Sequence, residues 1–403
     1  MRVLLITDSF PPEIRSASHL MLELAEGLRD RGFDVTVATT YPEYNLVDEQ
    51  RNIKYPDFTE ENQIKVIRIK TLPHHKVNFI IRGISQISMP YIFENKIKKY
   101  LNKTDVIIVY SPPLPLAMLG AKLKKNFNAK FLLNVQDIFP QNAIDLGVLK
   151  NPLLINFFRK MERKAYIGAD WIFVHSEGNL NFLKNNHPDI SNKFMVLHNW
   201  IDIKQFNGVS RTNKYRNLYH LEDKFILLFA GVMGPSQGLN FVIELAEKVK
   251  DLQDVVFLFV GDGMERTKLQ DLARAKNLNN VIFKPFVSKE EYPYLVKDCD
   301  VGLVSLSSKN KTPVVPGKIL GYMAAKLPVL AFLNQDSDGH SIIKNANCGL
   351  SCIHGDIQKA EHLVREIYRN KNALITYGEN GYDYLVNNFE REVCIQKLIE
   401  NFY

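Results

Sequence analysis

The sequence predicts an α/β protein of two doubly wound domains, each a mostly parallel sheet flanked by helices, with a further helix at the C-terminus. Three observations predict this. Short β-branched and aliphatic runs recur from end to end, the pattern of strands buried on both faces. Helical patterns separate successive runs, as crossovers between parallel strands require. The alternation lapses once, over residues 200–222, and then restarts, so 403 residues divide into two halves of the size one core supports.

The first half opens with the strand Arg2–Thr7, the loop "DSFPPEIRSAS" and a helix carrying Leu20, Leu24 and Leu28. The strands "FDVTVAT" and "IKVIRIK" follow, then a helical pattern over Val77–Leu101. Next come "DVIIVY", a helix over Leu116–Lys125, "AKFLLNV", a helix over Leu153–Tyr166, "DWIFVH" and "KFMVLH". After the lapse the second half reads "FILLFAG", helix Leu239–Val249, "VVFLFVGDG", helix Glu265–Lys276, "NVIFKPF", helix Lys289–Lys297, "VGLVSL" and, after a short helix, "PVLAF". Residues 357–403 read as helical throughout. The expected division is 1–205, 206–380 and a terminal helix, 381–403, that crosses back to the first domain to bury Val393, Ile395, Leu398 and Ile399.

A composition of 46% hydrophobic and 24% charged residues is that of a folded globular protein. No apolar run is long enough to span a bilayer and no signal peptide precedes "MRVLLIT", which points to a cytoplasmic protein. Cys299, Cys348, Cys352 and Cys394 form no disulfide framework, and Cys348, Cys352 and His354 lack a zinc spacing, so free thiols are expected. The net charge of +7 is uneven: residues 64–164 hold 18 basic and 5 acidic side chains, or +13. That charge is interleaved with apolar residues in "VNFIIRGISQIS" and "PLLINFFRKMERKAY". Phe79, Ile80, Ile84 and Ile87 are expected to be exposed there. Basic and apolar together favour an anionic membrane surface as partner. No helix-turn-helix, RNA-binding aromatic platform or zinc finger supports nucleic acid.

In open α/β sheets ligands bind beyond the carboxyl ends of the strands. Four such junctions in the second half are distinctive: "GVMGPSQGLN", "GDGMER", "PFVSKEEYPYL" and the loop reaching "PGK". In the last, Pro316 opens a helix whose unpaired N–H groups suit an anion, Gly317 lets the backbone approach it, and Lys318 adds a full charge. Together they point to a nucleotide with its phosphates on helix N-termini. The Gly-x-Gly-x-x-Gly and Walker fingerprints are absent, which argues against a dehydrogenase and a P-loop ATPase. Asp298 and Asp300 fall at the opposite sheet edge and read as capping or surface charge. Asp336 and Asp338 fall on the ligand side, where an Asp-x-Asp pair can hold a metal.

The stretches "RVLLITDSFPPE…HLMLELAEGLRDRGFDVTVAT", "VQDIFPQNAIDLGVL", "KMERKAYIGADWIFVHSEGN", "LLFAGVMGPSQGLNFVIELA", "VGDGMERTKLQDLA", "IFKPFVSKEEYPYLVKDCDVGLVSL" and "VVPGKILGYMAAKLPVLA" carry a resemblance over nearly the whole chain. Together they resemble GT-B glycosyltransferases of family 4, in particular the WbuB-like bacterial enzymes of colanic-acid, O-antigen and capsule assembly. The resemblance implies a nucleotide-diphospho-sugar, expected to be a UDP-sugar, held by the second domain and a saccharide acceptor held mainly by the first. It implies retention of configuration and no metal or other cofactor. The acceptor would be linked to a polyprenyl diphosphate or a nucleotide, and the enzyme would sit peripherally at the inner face of the cytoplasmic membrane.

Carried over, Gly234, Ser236 and Gln237 would face the diphosphate, with Gly317 and Lys318 opposite. Gly261, Gly263, Phe286 and Val287 would border the base. Catalysis would rest on Lys318, which stabilises the leaving diphosphate, with the acceptor proton passing to the leaving phosphate or to a carboxylate: Asp137 after "AKFLLNV", or Glu13 in the first loop. Arg15, Ser16 and Asp137 would meet the acceptor, while His198 and Asn199 would touch ligand or, in preference, fix the hinge. The chain departs from the family where two glutamates usually stand eight positions apart, having Pro313 and Gly321, and its first loop has "RSAS" in place of a glycine pair. Two rival readings share this architecture: a nucleotide-sugar 2-epimerase, and a catalytically silent nucleotide-sugar-binding scaffold.

Overall fold

The structure, a computed structural model, describes residues 1–43, 45–46, 50, 53–74, 77, 79–145, 147–308 and 315–403, with Phe79 and Ile80 described by backbone alone. Pro313 and the side chains of Phe79 and Ile80 therefore lie outside the described residues. The chain forms two compact units, Met1–Asn199 with Cys394–Tyr403, and Trp200–Val393.

The first unit runs β1 (Arg2–Ile6), α1 (Ser16–Arg29), β2 (Asp34–Thr40), β3 (Phe58–Glu61), β4 (Ile64–Ile69), α2 (Phe79–Tyr100), β5 (Val106–Ser111), α3 (Leu114–Phe127), β6 (Lys130–Val135), α4 (Gln141–Asp145), α5 (Pro152–Gly168), β7 (Trp171–Val174), α6 (Glu177–Asn186) and β8 (Phe194–Val196). Its sheet has the order β3-β4-β2-β1-β5-β6-β7-β8, parallel except for β3, which pairs antiparallel with β4. Leu4, Leu5 and Ile6 in β1 and Leu132 and Leu133 in β6 are buried, as a sheet covered on both faces demands. Helix starts follow local chemistry. Asn151 accepts N–H bonds from Leu153 and Leu154 ahead of Pro152, and Ser176 accepts one from Asn179. The end of the chain returns to α1, where a Cβ at Gly27 would sit 2.2 Å from Ile395 Cδ1 and Phe402 meets Phe33 edge-on at 5.4 Å.

The second unit runs α7 (Lys214–Tyr219), β9 (Phe225–Ala230), α8 (Asn240–Lys248), β10 (Val255–Val260), α9 (Arg266–Ala275), β11 (Val281–Lys284), α10 (Tyr292–Lys297), β12 (Val301–Ser305), α11 (Gly317–Ala324), β13 (Val329–Leu333), α12 (Gly339–Ala346), β14 (Gly349–Ile353), α13 (Ile357–Arg369), α14 (Ala373–Asn388) and α15 (Arg391–Ile399), whose later residues group with the first unit. Its sheet is wholly parallel, ordered β11-β10-β9-β12-β13-β14. The division thus falls at 199/200 and 393/394 rather than at 205/206 and 380/381. Ile201 exchanges backbone bonds with Phe389 and Arg391, and Leu385 lies in the second unit's core, which ties both segments to that unit.

The uniform helix expected over 357–403 is three helices, α13 to α15. Residues 200–222 contain α7, latched to the sheet by the Asp-Cys-Asp segment. Asp298 accepts N–H bonds from Thr212, Asn213 and Tyr215, and Asp300 accepts from Ile226 and pairs with Arg216 at 2.6 Å.

Candidate active site

In the second unit the strand order reverses between β9 and β12, and their pairing stops early, at Leu228 and Gly302. Beyond that point the two strands part, which is where an open α/β sheet accepts a ligand. Tyr322 of α11 fills the gap. Its hydroxyl donates to the Leu228 carbonyl at 3.0 Å and accepts the Ala230 N–H at 3.2 Å. A Cβ at Gly302 would lie 2.3 Å from the Tyr322 ring, so only glycine lets the ring enter. Tyr322 therefore pins α11 to the switch point and sets where its N-terminus points.

That N-terminus carries Gly317 and Lys318 behind Pro316, with no side-chain cap and no acidic residue in its first turn. Lys318 folds back over β9, its Nζ 4.9 Å from the Phe229 ring centroid and 3.3 Å from where a Cβ on Gly231 would stand. No carboxylate pairs with it among the described residues, and burial pulls its pKa down to about 8. A half-buried ammonium with no carboxylate partner among the described residues, at the positive end of a helix, suits an anion.

The loop after β9 faces the same corner. Gly234, Ser236 and Gln237 form a short turn, with Ser236 exposed and a Cβ at Gly234 meeting nothing within 4 Å. The turn is held from behind: Ser305 Oγ bonds the Gln237 carbonyl, the Ser307 N–H bonds that of Ser236, and His354 lies 3.0 Å from that of Gly238. Gly261 and Gly263 serve packing. Both have positive φ, and added Cβ atoms would stand 2.0 Å from the Gly231 oxygen and 2.4 Å from the Met233 oxygen. Those glycines let the loops after β9 and β10 lie backbone against backbone. Val232, Met264 and Phe286 are exposed beside them at the ends of β9, β10 and β11, while Val287 is half-buried. Asp336 is exposed beyond β13 and Asp338 half-buried. Among the described residues no three His, Cys, Asp or Glu side chains converge as metal ligands. The four cysteines are buried free thiols.

At the position of the second missing glutamate, Gly321, a Cβ would approach the Tyr292 hydroxyl to 2.9 Å. The space a longer side chain would use is taken by the tyrosine.

In the first unit the switch point lies between β1 and β5. Asp8, beyond β1, is buried and one carboxylate oxygen has no hydrogen-bond partner. Burial raises its pKa against the opposing charge of Arg15, whose guanidinium lies 3.6 Å away. Glu13 is also buried and is committed to ordering the loop: one oxygen accepts from Ser9 Oγ and the other from the Glu43 N–H, both at 3.0 Å. Ser16 is exposed in the first turn of α1. Asp137 keeps access to solvent beyond β6, accepts a bond from Asn142 at 3.3 Å, and is raised above the ordinary aspartate range by the surrounding protein. Burial, then the charges of Asp137 and Asp8, raise Tyr110, so these groups share one strand edge. Asn199 donates to Gln136, beside Asp137, at 2.6 Å, and His198 lies 3.1 Å from the His175 carbonyl, so both are engaged within this unit. Sequence reasoning missed Asp8, Tyr110 and Tyr322. The first two follow or end strands and were findable by position, whereas Tyr322 reads as an ordinary core aromatic.

Two doubly wound units, one with a helix start that suits an anion at its switch point, form an architecture shared by many nucleotide-binding proteins. The family follows from sequence: residues 17–205 match the model for Glycosyltransferase Family 4 and residues 210–384 that for Glycosyl transferases group 1, so the chain belongs to these glycosyltransferases and has the GT-B fold. It is 25% identical to the glycosyltransferase WbjE of Pseudomonas aeruginosa over 80% of each chain. It is 26% identical to Escherichia coli WcaI, named for colanic acid biosynthesis, over 80% of this chain and 81% of that one. Among solved structures it resembles Anabaena HepE in complex with UDP, with TM-score 0.72, 15% identity and 99% of both chains covered. It also resembles WaaG, a glycosyltransferase of lipopolysaccharide biosynthesis, with TM-score 0.66, 15% identity, and 99% and 98% covered.

Proposed function

We propose that this glycosyltransferase takes a sugar from a UDP-sugar, with retention of configuration, and passes it to a lipid-linked saccharide in bacterial surface polysaccharide synthesis. The observation that carries the reading is Lys318, a half-buried cation with no carboxylate partner among the described residues, set at a helix start above the switch point. Charge and N–H groups aimed at the departing diphosphate lower the barrier where negative charge develops. They do so without a metal, so turnover survives a chelator; abolition by EDTA with rescue by magnesium or manganese would shift attention to Asp336 and Asp338. Asp137 receives the acceptor proton. The names of WbjE and WcaI and the UDP held by HepE support the substrate classes. Incubation with a panel of UDP-sugars and an undecaprenyl-diphosphate-linked acceptor tests the reading, with the anomer of the product read by NMR. Release of UDP only when acceptor is present is expected; C2 epimerisation of the donor, or binding without turnover, would overturn it.

The lipid-linked acceptor is supported by α5. Of its 17 residues only Glu162, Ala165 and Tyr166 are buried, while Leu153 is 79% exposed and Leu154 and Phe157 also face solvent. Arg159, Lys160, Arg163 and Lys164 are exposed one to three turns further on. The helix's one acid, Glu162, is buried and lifted to about 7 by that burial. In α2, which like α5 packs against α3, Ile84, Ile87 and Tyr91 are exposed as well. Apolar residues beside Lys160 and Lys164, which form no ion pair among the described residues, suit an anionic bilayer surface. No helix among the described residues is long and apolar enough to cross a membrane.

A further inference from the structure

Three polar side chains, the buried Asn334 and the half-buried His340 and His354, surround the end of β13. Asn334 directly follows that strand and is 2% exposed, yet neither its carboxamide oxygen nor its nitrogen has a hydrogen-bond partner. Leaving a buried polar group unmet costs about 1–3 kcal/mol, so a side chain with both ends unmet calls for an explanation. His340, in the first turn of α12, reaches Ser351 Oγ at 2.9 Å through Nδ1; its ring also lies against the Asn334 and Leu333 backbone, while the buried Nε2 makes no well-aligned hydrogen bond. Burial lowers its pKa, against the carbonyls of Asn334 and Leu333, so the ring is neutral at pH 7 and its second nitrogen can donate or accept. The N–H of His354 bonds the Leu333 carbonyl at 2.8 Å, and its Nδ1 is also unpartnered.

The group lies between the two sides of the anion site. His354 reaches the Gly238 carbonyl of the loop after β9. The start of α12 packs on the start of α11: a Cβ at Gly339 would lie 3.2 Å from Pro316 and 3.1 Å from Ile319. Neither Asn334 nor His340 is needed to explain how a diphosphate is held.

We propose that Asn334 and His340 form the subsite for the sugar ring of the nucleotide-sugar. The carboxamide presents a donor beside an acceptor, which matches neighbouring donor and acceptor groups on a hexose ring: vicinal hydroxyls, or a hydroxyl beside an acetamido group. The imidazole nitrogen takes a further hydroxyl. The inference rests on the reading of this unit as the donor-binding one.

The test is calorimetric titration of the full-length protein with UDP, UDP-glucose, UDP-N-acetylglucosamine, GDP and GDP-mannose. Wild type is compared with Asn334→Ala and His340→Gln, and with Asn334→Asp should the alanine variant fail to fold. The expected result is a loss of about tenfold or more for a nucleotide-sugar, with the matching nucleoside diphosphate held within about twofold. A larger loss for UDP-N-acetylglucosamine than for UDP-glucose assigns the acetamido group; equal losses assign the hydroxyls. Equal weakening of diphosphate and nucleotide-sugar would show a merely structural role, and no change in any variant would show a pocket filled by water; either overturns the inference while leaving the donor reading in place. A wild-type protein that binds none of the five overturns the donor reading and this subsite with it.

Discussion

Lys318 and Arg15 stand in comparable places, each beside the loop that follows the first strand of its sheet at a topological switch point. Their surroundings differ. Arg15 has Asp8 at 3.6 Å and Glu13 at 3.9 Å, two buried carboxylates for one guanidinium. Lys318 has an aromatic face, a glycine loop and no carboxylate among the described residues. The first edge compensates its own cation. The second leaves a positive charge uncompensated in a half-buried site, an arrangement that costs stability until an anion arrives. One fold, used twice, is thus specialised by where it withholds a counterion.

The largest effect that would break this contrast comes from Lys318→Met. Donor turnover should fall by about 2–4 kcal/mol in transition-state stabilisation, while the ligand-free protein melts no lower than wild type because a half-buried charge without a carboxylate partner has been removed. Lysine ordinarily titrates near 10.5 and here near 8. Between those values the unfolded chain holds a proton that the folded one lacks, so wild-type stability gains a contribution as pH rises through that window. Nucleotide binding runs the other way and weakens as pH rises past 8, where the ammonium is lost. Both trends should vanish in the methionine variant. Thermal melts and calorimetry from pH 7 to 10 check this, and pH-independent binding in wild type would count against the anion site.

On the other edge, Asp137→Asn should lower kcat by about 100-fold with donor affinity unchanged, the scale of one general acid–base group. Glu13→Gln should instead lower the melting temperature with little change in kcat, since both Glu13 oxygens are spent on Ser9 and the Glu43 N–H. If Glu13→Gln costs more turnover than Asp137→Asn, the proton acceptor has been misassigned.

The glycines sharpen the contrast within the second unit. Gly263→Ala must place a side chain at φ +151 and 2.4 Å from the Met233 oxygen, so a loss of stability of about 1–3 kcal/mol is expected. Gly234→Ala meets nothing within 4 Å at φ −116, so the fold should hold while nucleotide affinity falls. Chemical denaturation and titration of both variants separate a glycine kept for packing from one kept for a ligand.

Much of this second edge was legible in the sequence because it is written locally. Pro316-Gly317-Lys318 and the glycines after β9 and β10 announce themselves within a few residues of a strand end. What escaped depends on long-range contact. Tyr322 bridges backbone groups of Leu228 and Ala230, far away in sequence, and the buried Asn334 stands in a stretch, "FLNQDSD", that looks like surface loop. The edge strand β3 hid in a charged segment because it pairs on one side only, and its polar alternation matches a loop as well as a strand. Asp8 was passed over for a different reason. A short Thr-Asp-Ser segment reads as a turn, and only burial without a full set of partners sets it apart.

The smallest effect belongs to the surface of the first unit. Lys160 and Lys164 are exposed on α5 and form no ion pair among the described residues, whereas Arg163 is bound to Asp189 at 2.9 Å. Attraction to an anionic bilayer is worth about 1 kcal/mol per free lysine near the surface, so Lys160→Gln and Lys164→Gln should each weaken binding to phosphatidylglycerol vesicles about fivefold. Arg163→Gln should do less, because its charge is already answered. Leu153→Ser should weaken binding to a similar degree as a lysine change, but its effect should persist at high salt, where the lysine effects fade through screening. None of the four changes should alter the affinity for a soluble nucleotide, since that site lies in the other unit. Co-sedimentation at low and high salt reads all of this. Equal recovery of wild type with anionic and neutral vesicles at low salt would remove the membrane from the account and leave a soluble saccharide as the acceptor.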